Sequence, residues 1–228
     1  MRKWGIVITA FYLLILIVFL LPTWLLLSGA NQSPTLIGNI GLSLSQWGDW
    51  ILIVVLVSGQ ALLLLLSVDT SQKRLKPRTH IRVSIIVTTM LLGLLTFAGI
   101  FSLCVGIRGD KFFELFPDSD AANTAILFGA WAFPWLLWSI VFYVFYRDSS
   151  EWVTRATSWL LKGSMLELII AVVSHVIVRR RNDCSAPIAT SFGIVTGIAI
   201  MLLSFGPSVL FLFKKRMDAR APHSRAVS

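Results

Sequence analysis

Charge is scarce in this chain. Only 14% of its 228 residues are Asp, Glu, Lys or Arg, against roughly a quarter in an ordinary soluble domain, so a water-facing surface of the usual kind cannot be assembled. Histidine is rare as well, with three residues, and cysteine appears twice. Two cysteines exclude a disulfide-dense scaffold. Of the histidines only His175 falls in an apolar segment, which argues against a bis-histidine haem held by one chain. A closed structural metal site needs about four ligands, and no metal or other cofactor is expected. The sequence also lacks a glycine-rich P-loop, a zinc-protease HExxH, a rhomboid-like serine motif, a transporter signature, internal repeats, an RNA-binding aromatic motif and a DNA-reading helix. No catalytic residue can be assigned, and an enzyme is the less favoured class.

What the chain has instead is apolar length, with 56% hydrophobic residues. Runs of about 20 apolar residues recur, the length an α-helix needs to cross a hydrocarbon layer about 30 Å thick. The pattern predicts an all-α polytopic membrane bundle of about six transmembrane helices, over residues 4–27, 50–68, 83–107, 124–146, 160–178 and 188–213, in a single transmembrane domain. A basic tail, 214–228, follows. Ser28-Gly29-Ala30 after the first run resembles a signal-peptidase site, but the run is longer than a typical secretory h-region, and it is read as a retained span. The fifth segment has the shortest purely apolar part and carries Glu167 and His175.

Cytoplasmic loops carry the excess of Lys and Arg. With both termini in the cytoplasm, 15 of the 20 basic residues lie inside and 5 outside. If the fifth segment turned back instead, the division would be 13 to 7. Six spans with cytoplasmic N- and C-termini, in a plasma (inner) membrane, are therefore expected. The triplet Arg179, Arg180 and Arg181 then stands outside as an exception. The net charge of +9 is carried at the ends of apolar segments, which points to anionic lipid headgroups as partners and away from nucleic acid. Protein partners or a homo-oligomer are compatible with the pattern.

Several residues invite a chemical reading. At 100° per residue, Gly163, Ser164, Glu167, Ala171, Ser174 and His175 share one face of the fifth helix, and an ionisable group in the bilayer must find a partner or a polar interior. Glu167, His175 and Ser174, with Gln60 from the second span, are candidates for an ion or ligand path. Glu167 and His175 are separated by about 12 Å of helical rise, so a water, Gln60 or a ligand would have to lie between them. The competing structural reading pairs Glu167 with Lys162 or Arg155 near the interface and His175 with a backbone carbonyl. Arg179, Arg180 and Arg181 are candidates for binding an anion or a headgroup, since guanidinium groups fork onto phosphate. Cys104 and Cys184 fall at comparable outer depth and could form a disulfide.

Gly193 to Gly197 is a GxxxG match, and Gly99, Ser102 and Gly106 give the third span a similar face, as expected of close helix packing. Trp131, Trp135, Trp138, Phe142 and Phe145 form an aromatic stripe on the fourth span, read as packing or lipid contact. Pro134 and Gly206-Pro207 should bend their helices. The loop 109–123 is acidic and aromatic but lacks an EF-hand's spacing, and is read as an interfacial turn. The best functional reading is a small transporter or channel-like protein with a polar intramembrane site on the fifth helix. The alternatives are a non-enzymatic structural or sensory subunit of a membrane complex, and a membrane enzyme acting on a lipid-linked or phosphorylated substrate at the outer surface.

Overall fold

A computed structural model describes residues 2–20, 50, 53–62, 78–117, 119–146 and 152–225. Parts of the first two expected spans fall outside these residues. Among the described residues there is no strand. Helix α1, Arg2–Ile15, continues through a π-helical turn, Leu16–Leu20. A short apolar helix, α2, covers Ile53–Leu62. Then come α3 (Arg78–Arg108), a 3-10 turn (Gly109–Leu115), α4 (Asp120–Tyr146), α5 (Trp152–Arg181) and α6 (Ala186–Arg225).

Each of α3 to α6 contains a stretch long and apolar enough to cross a bilayer. Their outward sides are apolar too: Ile100, Leu103 and Ile107 on α3, Leu166, Ile169 and Val173 on α5, and Phe128, Phe133 and Ile140 on α4 are exposed. In water such continuous apolar surface would drive aggregation; against lipid it needs no cover. The chain is a membrane protein built of helices. The fifth segment, short by its purely apolar residues, is one helix of 30 residues. Pro134 lies inside an unbroken α4, and α6 runs helical through Gly206-Pro207.

Helices α3, α5 and α6 form the centre, with α4 packed chiefly on α3. The α3 and α5 helices run parallel at a steady register. Leu95 meets Gly163, Gly99 meets Glu167 and Gly106 meets Ser174, so a small residue opposes a larger one at each level. Helix α6 runs antiparallel to α5, with Gly197 and Gly193 at the level of Glu167 and Thr190 at that of His175. Helix α4 is tied to α3 by two side-chain hydrogen bonds: Trp138 Nε1 donates to Thr96 Oγ1 at 3.0 Å and Ser139 Oγ to Thr89 Oγ1 at 3.0 Å. At Gly93 an added Cβ would stand 2.8 Å from the Trp135 Cα, so the two backbones are in contact there. Tyr12 fastens α1 to α6, its hydroxyl donating to the Ala199 carbonyl at 2.8 Å.

The core holds two apolar clusters with buried polar side chains among and between them. One apolar cluster gathers Leu91, Leu92 and Leu95 with Leu160, Ile200 and Leu203. The other joins Val105, Val178, Ala186 and Ala189. The layer between them contains Glu167.

Candidate functional site: a buried carboxyl between three helices

Most hydroxyls in these helices are satisfied by their own backbone. Ser164 donates to the Leu161 carbonyl, Thr96 to Leu92, Ser191 to Ile188 and Ser204 to Ile200, the usual solution for Ser and Thr in an apolar helix. The exceptions include Ser102 and Thr196, whose hydroxyl oxygens are buried without a hydrogen-bond partner. Ser102 lies beside the Glu167 carboxyl, and Thr196 directly precedes Gly197.

Glu167 is 3% exposed, and neither carboxyl oxygen has a hydrogen-bond partner. The reason it fits is the absence of side chains opposite. A Cβ at Gly197 would overlap Oε2, and a Cβ at Gly193 would collide with Ser102 Oγ while standing 3.1 Å from Oε1 and 3.1 Å from the Ala171 Cβ. On the α3 side, a Cβ at Gly99 would make ordinary contact, 3.5 Å, with Glu167 Cγ. The GxxxG pair of α6 therefore makes room for a carboxyl group. A side chain of this kind at the centre of a bilayer costs about 3 kcal/mol or more to place, and among the described residues no ion pair offsets that cost. The structural alternative, pairing with Lys162 or Arg155, does not describe this geometry: both are exposed while Glu167 is enclosed.

His175 occupies a separate polar spot two turns along α5. Its Nδ1 lies 2.9 Å from Thr190 Oγ1, which also reaches the Ala186 and Pro187 carbonyls at 3.2 Å each. Thr190 has one hydroxyl proton; with that proton on a carbonyl, Nδ1 of His175 is the donor in this pair and Nε2 is left as the acceptor of the neutral ring. The partner of His175 Nδ1 is thus a threonine hydroxyl and not the backbone carbonyl expected. Ser174 is buried and packs against Gly106, where a Cβ would stand 2.7 Å from its own Cβ.

Gln60 is buried with Oε1 unpartnered. Its neighbour Gly59 faces Val87 and Leu91 of α3, about two turns along that helix from Gly99. The four path candidates thus divide among levels: Glu167 in the glycine cradle, Ser174 and His175 towards the α3 C-terminus, and Gln60 towards its N-terminus.

At the end of the bundle where α3 stops, two helix ends interlock. Gly109, with φ of 62°, turns the chain out of α3, and Asn182, with φ of 57°, does the same after α5, both in the left-handed region suited to helix C-termini. Asp110 accepts the backbone N–H groups of Cys184 at 2.8 Å, Ser185 at 3.0 Å and Ala186 at 2.9 Å, and so caps α6 from a different helix. Those donors, that of Cys184 first, hold the Asp110 carboxyl below the usual carboxylate range against a smaller opposing effect of burial. Arg181 donates from Nη1 to the Ile107 carbonyl at 3.0 Å. Of the arginine triplet, Arg181 lines an open cleft here with Arg108 and Lys111, while Arg179 and Arg180 are exposed outside its lining. Cys104 and Cys184 are both free thiols, the first half-buried and the second exposed.

The aromatic stripe of α4 divides. Trp131 and Trp135 stack with centroids 5.7 Å apart, Trp138 and Phe142 turn inward, and Phe145 is exposed. Among the described residues no three His, Cys, Asp or Glu side chains are grouped as metal ligands. No family model, curated protein or solved structure matches this chain, so the functional reading rests on the geometry alone.

Proposed function

We propose that this chain is a six-span membrane protein with cytoplasmic termini that acts as a small proton-coupled transporter or channel-like protein, and that Glu167 is the group that takes up and releases the proton. The observation that carries this reading is the Glu167 carboxyl, enclosed at the junction of α3, α5 and α6 with neither oxygen hydrogen-bonded. A carboxyl kept only for stability would be expected to pair, because an unpaired polar group buried in low dielectric is costly. Proteins hold ionisable groups of this kind inside the bilayer chiefly along ion and proton paths. Ser102 supplies a neighbouring hydroxyl that can donate to a carboxylate or accept from a carboxylic acid. His175 and Thr190 continue the polar line towards the α3 C-terminus, and Gln60 towards its N-terminus.

The test is proton- and cation-driven flux in liposomes containing the wild type, Glu167→Gln or His175→Ala, beside thermal stability in detergent. The reading expects Glu167→Gln to fold as well as the wild type and to lose flux. It fails if the wild type carries no flux under any gradient, or if Glu167→Gln carries as much.

A second reading, a subunit of a larger membrane complex, is favoured by α4, whose span is almost wholly uncovered on the side away from α3. It expects a stoichiometric partner on gentle solubilisation and normal assembly of Glu167→Gln.

A further inference from the structure

The cleft between the ends of α3 and α5 is lined by five charged side chains. It has a volume of about 630 Å³ and is lined by Ile107, Arg108, Asp110, Lys111, Arg181 and Asp183. Counted by residue, three cations face two carboxylates, but the carboxylates are turned to other work. Both oxygens of Asp110 are engaged by the backbone N–H groups of Cys184, Ser185 and Ala186. Asp183 packs its carboxyl against Gly109, with Oδ2 buried and unpartnered. The cations have no such occupation. Among the described residues no carboxylate lies within ion-pair distance of Arg108, Lys111 or Arg181, and Arg181 is held over the cleft by its bond to the Ile107 carbonyl, which uses one of its five N–H donors.

We infer that this cleft binds a phosphate group, with Arg108, Lys111 and Arg181 as its ligands. Two guanidinium groups from the last turns of α3 and α5, with an ammonium that the Gly109 turn carries past the end of α3, give the cleft the charge-assisted donors that a phosphate takes. The cleft opens where the apolar run of α3 ends, the level of lipid headgroups, so the phosphate can belong to a membrane lipid or to a phosphorylated solute. This site is separate from the Glu167 cradle and does not depend on proton coupling.

The full chain, purified in detergent, is titrated with dihexanoylphosphatidylglycerol and with inorganic phosphate, and binding is measured by calorimetry. The proposal expects saturable binding of the wild type, weakened about tenfold or more by Arg108→Gln with Lys111→Gln, the effect of losing charge-assisted hydrogen bonds. Lys162→Gln, which removes a charge elsewhere on α5, should leave binding unchanged. Phosphatidylglycerol binding that inorganic phosphate does not displace assigns the cleft to a lipid headgroup; displacement assigns it to a solute. If the double variant does not elute as a single species, Lys111→Gln alone, in the exposed 3-10 turn, should still weaken binding by about threefold or more. Saturable binding of neither probe, or equal weakening by Lys162→Gln and by the cleft variants, overturns the proposal.

Discussion

Replacing Gly197 with alanine should disturb the protein through Glu167, and the size of the effect can be worked from the packing. The new Cβ would overlap Glu167 Oε2 and stand 2.8 Å from Leu168 Cγ and 3.0 Å from Leu168 Cδ2. The carboxyl cannot simply swing aside, because Oε1 already lies against Gly193 and the Ala171 Cβ borders the same spot. Either α6 moves outward or the carboxyl leaves its cradle, an overpacking cost of about 1–3 kcal/mol. Alanine's better helix propensity returns up to about 1 kcal/mol, leaving a net loss on the order of 1–2 kcal/mol. In a Glu167→Ala background most of the clash disappears, so the same substitution should cost at least about 1 kcal/mol less, a coupling typical of residues in contact. Equilibrium unfolding in mixed micelles measures all four proteins of the cycle. Gly129→Ala, where nothing lies within 4 Å of the added atom, and Gly99→Ala, with ordinary contact at 3.5 Å, serve as references. The reasoning is refuted if Gly197→Ala is as stable as Gly129→Ala, or if its cost is the same with and without the Glu167 side chain.

Thr190→Val should remove the partner of His175 Nδ1 and cost about 1–3 kcal/mol in the same unfolding assay, because the ring nitrogen stays buried without a bond. Trp138→Phe should loosen α4 from α3 by about 0.5–1.5 kcal/mol, and crosslinking yield between cysteines placed on the two helices would report the loss; an unchanged yield and stability would contradict the Trp138–Thr96 bond. Asp110→Asn should weaken the cap on α6, with a pH signature. The Asp110 carboxyl is held below its ordinary 3.8, so its stabilisation is fully present above that value and is lost as pH falls through the lower folded value. Plotted against pH, the stability gap between wild type and Asp110→Asn should be flat above pH 3.8 and close below it; a gap that closes near neutrality would contradict the assignment.

The membrane-length helices were legible from apolar run length, because a bilayer imposes a length that residues must match. The segments 83–107, 124–146 and 188–213 correspond to α3, α4 and α6, each of which is longer because polar residues at span ends continue the helix. On α5 the shortness was apparent only: Trp152 to Trp159 and the arginine triplet extend the helix beyond the segment 160–178. The first two segments are only partly described, so their spans are not measured by this fold. The Glu167 stripe could be read from helical periodicity, and the glycines of α6 from their spacing, but their relation could not. Which helix lies opposite Glu167 is decided by the register of α3, α5 and α6, a long-range property. One local signal was available: Gly99 and Gly106 share the seven-residue spacing of Glu167 and Ser174, the pattern of two parallel helices meeting small to large. Thr196, Arg108 and Lys111 owe their places to the same tertiary register, and nothing in their local sequence singles them out, while Ser102 was legible only as part of a small packing face.

The central claim, that Glu167 is a proton-binding group in the working protein, is tested most directly by counting protons. Purified wild type and Glu167→Gln, matched for folding, are titrated in weakly buffered solution over the full range in which both stay folded, and the protons bound per chain are compared. The account predicts that the two curves differ by a single proton per chain. Superimposable curves would mean that Glu167 never changes its protonation in the folded protein, and the proton-coupled reading would be wrong.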